Sequence, residues 1–415
     1  MKRNKKQRKD AMHRENIMEI GHRLIGAVQD GGFWNGRIQG VWIVINPAAG
    51  LLARHGVVRR VLSQLVRAGA SYGRVGGGEP LSVLQLTEYP GHGREIGRII
   101  GQHIRSGTSL SMQDPQALHG PGTPLLVVTI GGDGTHDEVL SGILDSGCDT
   151  AGVRVLRLPM GSGNDSADVT GMDQALCVLH GDAVESPIPA VEVNLAGGER
   201  LYAFNITSFG LDACVVWWTN KLKRSRLFPG DSYKLVADLV SLFYSPSFKR
   251  GPMRLLCKGS HISAGGEGAP GAAPPAGSGA ASPAATPAHA GGEILTGDFV
   301  LTAIGASGHR VYGKGKRVLP GAENLCTIRN LSMLQRIPLR GQFYRGDHVL
   351  HPHTTMREVE ELTVEFGSRI YFQADGESRM LQPHDFPVHV RVLTTAFLHV
   401  SAETDCGQTR QTPPS

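Results

Sequence analysis

Paired cysteines are missing from this sequence. Its six cysteines, Cys148, Cys177, Cys214, Cys257, Cys326 and Cys406, are scattered and form no Cys-x-x-Cys pair. That spacing excludes a zinc cage and a dense disulfide framework, and points to reduced thiols in a cytosolic protein. No His-Glu-x-x-His helix occurs among the 17 histidines, so metal binding by histidine is not expected. No apolar run approaches the roughly 18 residues that a membrane-spanning helix needs. Aromatics are scarce at 6%, and neither sign of charge dominates: 42 Lys+Arg against 37 Asp+Glu leave +5. So small an excess falls far short of a dedicated nucleic-acid binder, and no nucleic-acid partner is expected.

What is present is globular composition. The chain has 415 residues, 40% hydrophobic and 19% charged, which excludes disorder of the whole and allows about two to three domains. The start, Met1 to Asp10, is basic like the head of a signal peptide, but a polar, helix-prone segment, Ala11 to Ile20, stands where the apolar core should follow. Export is therefore not expected. Residues 1–40 read as a basic amino-terminal extension, and its basic run, Met1 to Asp10, as a solvated tail, with attraction to anionic lipid as the alternative.

From 41 to 185 strand and helix signals alternate. Val41–Ile45, Leu81–Leu86, Leu125–Ile130 and Val153–Leu158 are short apolar runs. Each leads into a turn-rich loop, and helical spacing follows the first three, as in Val57, Val58, Val61, Leu62 and Leu65. This pattern predicts a doubly wound parallel sheet, an α/β domain with helices on both sides. After about 186 the runs shorten and Gly and Pro punctuate them. Val191–Asn194, Leu201–Ile206, Met253–Leu256, Asp298–Ala303, Leu362–Phe366, Ile370–Gln373 and Val388–Val392 predict a mainly antiparallel β-sandwich. The second domain spans 186–405, with a helical insertion from about Asp212 to Tyr244 and a tail at 406–415. Its Ala/Gly/Pro/Ser tract at 259–292 buries too little to offset chain entropy and is expected to be a disordered insertion.

The chemistry is expected at the carboxyl ends of the first domain's strands, where open parallel sheets bind ligands. Three loops gather there: Asn46-Pro47-Ala48-Ala49-Gly50, Gly131-Gly132-Asp133-Gly134-Thr135, and Gly161-Ser162-Gly163-Asn164-Asp165. Bare amides near a helix start form a nest for phosphate oxygens. An aspartate among bound phosphates is electrostatically awkward unless it works through magnesium or as a base. Competing motifs fit less well. Gly308 to Gly315 nearly spells a P-loop but has glycine in place of the magnesium-binding Ser/Thr, and the first strand carries no dinucleotide fingerprint. A bound NAD cofactor is disfavoured.

Taken in order, these residues resemble the diacylglycerol kinase catalytic-domain superfamily, which includes bacterial lipid kinases, sphingosine kinases and ceramide kinases. The resemblance runs through Asn46-Pro-x-x-Gly50, Thr87 with Gly91-His92, Gly131 to Thr135 with Asp137-Glu138-Val139, and Leu158-Pro-x-Gly-Ser-Gly-Asn-Asp165. It continues through Asn205-x-x-Ser-Phe-Gly210-Leu-Asp212, Thr219-Asn-Lys, Ser232-Tyr233, Tyr312-Gly-Lys-Gly and Asp375-Gly376-Glu377. Gly-Gly-Asp-Gly alone is shared with NAD kinases and phosphofructokinases, and the fold of those enzymes is the one expected for the first domain.

The resemblance implies a two-domain kinase that uses ATP with Mg²⁺ in a cleft between the domains. It places nucleotide binding on Asn46 to Gly50, Thr87, Gly131 to Asp137 (with His136) and Gly161 to Asp165. Asp133 falls on the essential aspartate and Glu377 on the proton acceptor. The implied acceptor is a membrane lipid, diacylglycerol-like first, with a sphingoid base or a soluble NAD-kinase-like activity as alternatives. A cytoplasmic protein attached peripherally to membrane follows. Trp217, Trp218 and the basic residues after them read as core-facing apolar residues with a solvated basic face, with a lipid-docking lip as the alternative. A homodimer is left open.

Three departures from the family pattern stand out. Glu192 occupies a substrate-contacting position where aspartate is common. Ser166-Ala167-Asp168 replaces Phe-Ala-Arg and reverses a charge. Glu323-Asn324-Leu325 replaces an Asp-Asp-Gly tied to structural magnesium, so no metal ligand is assigned.

Overall fold

The computed structural model describes residues 2–76, 80–106, 124–161, 168–181, 183–224, 251–259, 292–312, 316–332 and 341–402. Most of 259–292, the loop 107–123, the tail, residues 225–250 and Ser162–Ala167 lie outside them. The chain divides into two compact units, one comprising residues up to Ala190 and those from Thr394, the other Val191–Leu393.

The first unit opens with α1 (Lys2–Gly31), followed by β1 (Gly40–Ile45), α2 (His55–Arg67), β2 (Leu81–Leu86), α3 (His92–Ser106), β3 (Leu125–Gly131), α4 (Asp133–Asp145), β4 (Val153–Pro159) and α5 (Met172–His180). The strands pair in parallel in the order β2-β1-β3-β4. Alternation sets the two faces. Val41, Ile43 and Ile45 of β1 and Leu126, Val128 and Ile130 of β3 share one core with α1, α2 and α5. On the other face Trp42 meets His103 of α3, and Thr129 meets His136 of α4.

Beyond its basic run, the amino-terminal extension is part of the first unit's core. Ile17, Ile20, Leu24, Ile25 and Val28 recur at helical spacing and are buried in the core. The helix is fastened further where His22 Nδ1 lies 3.1 Å from Gly73 O and Arg23 donates to Ala70 O at 2.9 Å. Each such aliphatic side chain contributes roughly 1.5–3 kcal/mol when fully buried.

On the opposite face α3 and α4 touch backbone to backbone. A Cβ added at Gly97 would lie 2.1 Å from Val139 O, and one at Gly142 would lie 2.1 Å from Arg94 O. This close approach carries a prediction with a decisive sign. In a helix interior Gly→Ala stabilises by about 1 kcal/mol on propensity alone. Gly97→Ala is instead expected to destabilise by about 1–3 kcal/mol in urea denaturation, because the helices must separate. A stabilised Gly97→Ala protein would disprove the close packing.

The second unit begins within β5 (Ala183–Asn194), then β6 (Arg200–Ala203), β7 (Ile206–Gly210) and α6 (Leu211–Arg224). β8 (Met253–Lys258), β9 (Glu293–Gly297), β10 (Phe299–Gly305), β11 (Arg310–Tyr312), β12 (Lys316–Leu319) and β13 (Leu325–Arg329) follow. The last are β14 (Thr354–Arg357), β15 (Glu361–Glu365), β16 (Ile370–Ala374), β17 (Glu377–Leu381) and β18 (Val388–Ala402). One antiparallel sheet runs β14-β13-β10-β7-β16-β17, and another pairs β18, β15, β8 and β9. Val191, Phe209, Leu255, Leu362, Phe372 and Val390, drawn from both sheets, share one core, which makes a sandwich. The unit ends at Leu393 rather than near 405. From Thr394 the last strand belongs to the first unit, where Leu398 and His399 pair in parallel with Arg154 and Val155 of β4.

Burial pushes the thiols of Cys214, Cys257 and Cys326 up to about 12, which makes them unreactive core residues. No described helix is long and apolar enough to cross a membrane.

Candidate functional site

In the first unit the strand ends assemble a cavity of about 490 Å³. The turn after β1 is built by Asn46. Its Oδ1 accepts the Ala48 N–H at 2.9 Å, and its Nδ2 donates to Thr135 Oγ1 at 2.9 Å, tying the first loop to the third. The fourth strand end is fastened to the others by Met160 N–H to Gly131 O at 2.7 Å and Leu51 N–H to Met160 O at 2.9 Å. Gly131 closes β3 where a Cβ would meet Thr135 at 2.7 Å, so glycine is what lets α4 turn back over the strand. Asp133 is then the first residue of α4, at the positive end of the helix dipole.

Asn46, Ala48, Ala49, Gly50 and Thr87 line the cavity, as do Gly132, Asp133, Gly134, Thr135 and Gly161. Ser162, Gly163, Asn164 and Asp165 lie outside the described residues. Pro47 and Asp137 are not in the lining. His136 also departs from the sequence reading: it is fully buried beneath α4, with Nδ1 2.7 Å from Thr129 Oγ1. Burial, reinforced by Arg157, lowers its pKa to about 4, so at neutral pH it is an uncharged packing group rather than a phosphate ligand.

Sequence reasoning missed Glu88, Tyr89, Pro90 and Glu138, which complete the wall. Glu138 has a clear task. Its two carboxylate oxygens accept the N–H groups of Gly91 and Gly93, each at 3.1 Å, so an acid of α4 caps the start of α3 and fixes the loop that carries Thr87. The available signal was Glu138 standing next to the Asp133 loop, but its partners are 45 and 47 residues away.

The second unit holds a different constellation. Asp375 and Gly376 form a two-residue hairpin between β16 and β17, with φ of 44° and 87°. Positive φ at both positions is the twist that such hairpins need, and aspartate tolerates it better than most residues. The Asp375 carboxylate accepts backbone N–H groups of Phe204, Asn205 and Ile206, the last at 2.8 Å. The Asn220 amide donates to Gly376 O at 2.8 Å, and Gly376 N–H donates to Gln373 Oε1 at 2.9 Å. Gln373 in turn reaches Ser208, which donates to Asp212 at 3.0 Å. Motifs distant in sequence, Asn205 to Asp212, Asn220 and Asp375 to Glu377, thus converge on one rigid turn that presents Glu377 to solvent.

Glu192 is engaged otherwise than the sequence reading proposed. It is 5% exposed, and its oxygens meet Arg391 at 2.6 Å and Arg200 at 3.2 Å. Two guanidinium groups account for this buried charge without any substrate. Trp217 packs on Tyr371, while Trp218 is exposed under the Lys221 ammonium.

Among the described residues no three His, Cys, Asp or Glu side chains gather into a metal site. Magnesium is commonly held by one or two carboxylates together with substrate phosphates rather than by an all-protein cage, and Asp133 on the cavity wall is a carboxylate of the kind such an ion needs.

A sheet-end cavity of glycine loops and a helix start stands where open parallel α/β sheets bind ligands. Residues 40–186 match the profile described as the diacylglycerol kinase catalytic domain. Over 151 residues the chain is 31% identical to a protein of Chromohalobacter salexigens named lipid kinase YegS-like, a match covering 34% of this chain and 47% of that one. The chain thus spans about half the length of this relative. Two solved structures with diacylglycerol kinase in their names, both from Bacillus anthracis str. Sterne, are similar in fold. Each aligns with 88% of this chain at a TM-score of 0.51, covering 96% and 98% of their own chains at 13% and 12% identity.

Proposed function

We propose that this protein is an ATP-dependent lipid kinase that transfers the γ-phosphoryl group of ATP to a hydroxyl of a membrane lipid, diacylglycerol-like in the first instance. The observation that carries this reading is the cavity formed by Asn46, Thr87, Gly132 to Thr135 and Gly161, with its amides and single strand-end aspartate. Phosphoryl transfer asks the protein for positioning and charge neutralisation more than for covalent chemistry. The bare amides at the start of α4 hold phosphate oxygens, the Asn46–Thr135 hydrogen bond keeps two loops in register around them, and Asp133 holds magnesium. Magnesium, when bound, neutralises charge on the transferring group. A carboxylate within hydrogen-bond reach of the lipid hydroxyl must take its proton, and Glu377, carried on a fixed turn, has that role. The lipid acceptor puts the working enzyme at a membrane surface from the cytoplasmic side.

Transfer of labelled phosphate from ATP to diacylglycerol, a sphingoid base and NAD, presented in mixed micelles, tests the reading. Labelled diacylglycerol that disappears on chelation of magnesium is the expected result. Labelling of NAD alone, or of no acceptor, would reject it.

A further inference from the structure

The positive excess of this chain is concentrated in one place. Residues 2–10 carry Lys2, Arg3, Lys5, Lys6, Arg8 and Lys9 against Asp10 alone, six minus one, or +5. Taking these from 42 and 37 leaves 36 charges of each sign, so the remainder of the protein is neutral. The run is also structured: α1 begins at Lys2 and includes all of it. The helix enters the core only from Ile17 onward, and Gln7 to Met12 are exposed. Before that, His13 stacks on His55 and Arg14 pairs with Glu88, so at 1.5 Å per residue the charged end stands about 5–17 Å along the axis from the first contact, at His13.

Two properties narrow what this end can meet. Residues 2–10 contain no apolar side chain, so they have nothing to bury in a protein groove or among acyl chains. Their backbone forms the amino-terminal, positive end of the helix dipole, with no acid in the first turn, an arrangement that an external anion relieves. The family match starts at residue 40, so this end is an addition to the catalytic domain.

We infer that residues 2–10 of α1 dock the protein, through charge alone, on the anionic surface of a lipid bilayer. This rests on the lipid-kinase reading above, because an acceptor dissolved in a bilayer makes the bilayer, rather than a nucleic acid, the polyanion that the enzyme meets. A helical mount holds the six basic residues together at a distance from the neutral body, where an anionic leaflet attracts each of them. Each basic residue close to such a surface raises partitioning about fivefold. The attraction fades beyond a Debye length of about 8 Å at physiological salt, so docking is reversible by salt.

Flotation of the full chain with phosphatidylcholine vesicles, with and without phosphatidylserine, tests the inference. The comparison is a variant with Lys2, Arg3, Lys5, Lys6, Arg8 and Lys9 all changed to Gln, which keeps helix propensity and lies outside the core. The unchanged protein is expected to float with phosphatidylserine vesicles at low salt and to be released at high salt. The variant is expected to partition at least about a hundredfold more weakly, with equal phosphate transfer to acceptor in neutral detergent micelles. Equal flotation of both proteins would overturn the inference, as would binding of the unchanged protein to duplex DNA but not to the vesicles. Charge-dependent flotation without transfer to any lipid would leave docking intact and remove the kinase reading alone.

Discussion

Asp133→Ala is expected to abolish phosphate transfer, a loss on the order of 10³-fold or more, while leaving the protein folded. The size follows from where the residue sits. A helix start that is rich in amides binds phosphate without help, and adding a carboxylate there weakens the binding by like-charge repulsion. Asp133 makes chemical sense when a cation lies between it and the phosphates. Removing the carboxylate then removes the cation's protein ligand, and with it the charge neutralisation of the transferring group. Asp133→Asn preserves shape and hydrogen bonding, so it separates charge from packing. A comparable loss in both variants, with unchanged urea midpoints, is the expected outcome. Substantial activity in Asp133→Asn would show that the charge is not used. Gly134→Ala offers a further contrast, since a Cβ there meets nothing within 4 Å among the described residues and Gly134 lines the cavity.

Much of the first unit was legible because its signals are local. Leu125–Ile130 is apolar on both faces, as a strand covered on both sides must be, and each strand runs into a glycine turn within a few residues. The loops that line the cavity follow from that grammar. The Asp375 hairpin was legible as a turn, but its rigidity was not, because the amides it binds lie about 170 residues earlier in the chain. That the extension joins the core was not legible for a different reason. Its first ten residues are overwhelmingly charged, and the apolar series of Ile17, Ile20, Leu24, Ile25 and Val28 lies beyond them, so one helix carries a solvated end and a core-forming end. Glu192 and His136 show the limit of carrying a role by position. A buried carboxylate between two arginines and a buried imidazole beneath a helix are both placed by packing partners that sequence order does not reveal.

The departure at residue 168 makes physical sense in the structure and carries the second large effect. Where the family pattern has a basic residue, Asp168 lies with its side chain 1% exposed against Arg157 of β4. The Arg157 guanidinium donates to Asp168 Oδ1 at 2.7 Å, and the Arg157 backbone N–H donates to Oδ2, also at 2.7 Å. His399 Nδ1 lies 2.9 Å from the same carboxylate. Burial by itself would raise the Asp168 carboxyl, but the nearby His399 ring and the Arg157 guanidinium outweigh it and hold the pKa below the usual range. The stabilisation is therefore complete above about pH 4 and is lost as pH falls beneath that value. Asp168→Ala strands a guanidinium that is almost wholly buried, and the expected cost is about 3–5 kcal/mol in chemical denaturation. Replacing both partners, Arg157→Met with Asp168→Leu, removes the stranded charge and is expected to recover most of that loss. If the double variant were as unstable as Asp168→Ala, the cost would lie in packing rather than in the ion pair. The pair also fixes the point at which the chain returns to β4 after the Gly161 loop. A reversed charge at 168 is therefore compatible with the same strand-end cavity, because the arginine that balances it comes from the strand itself.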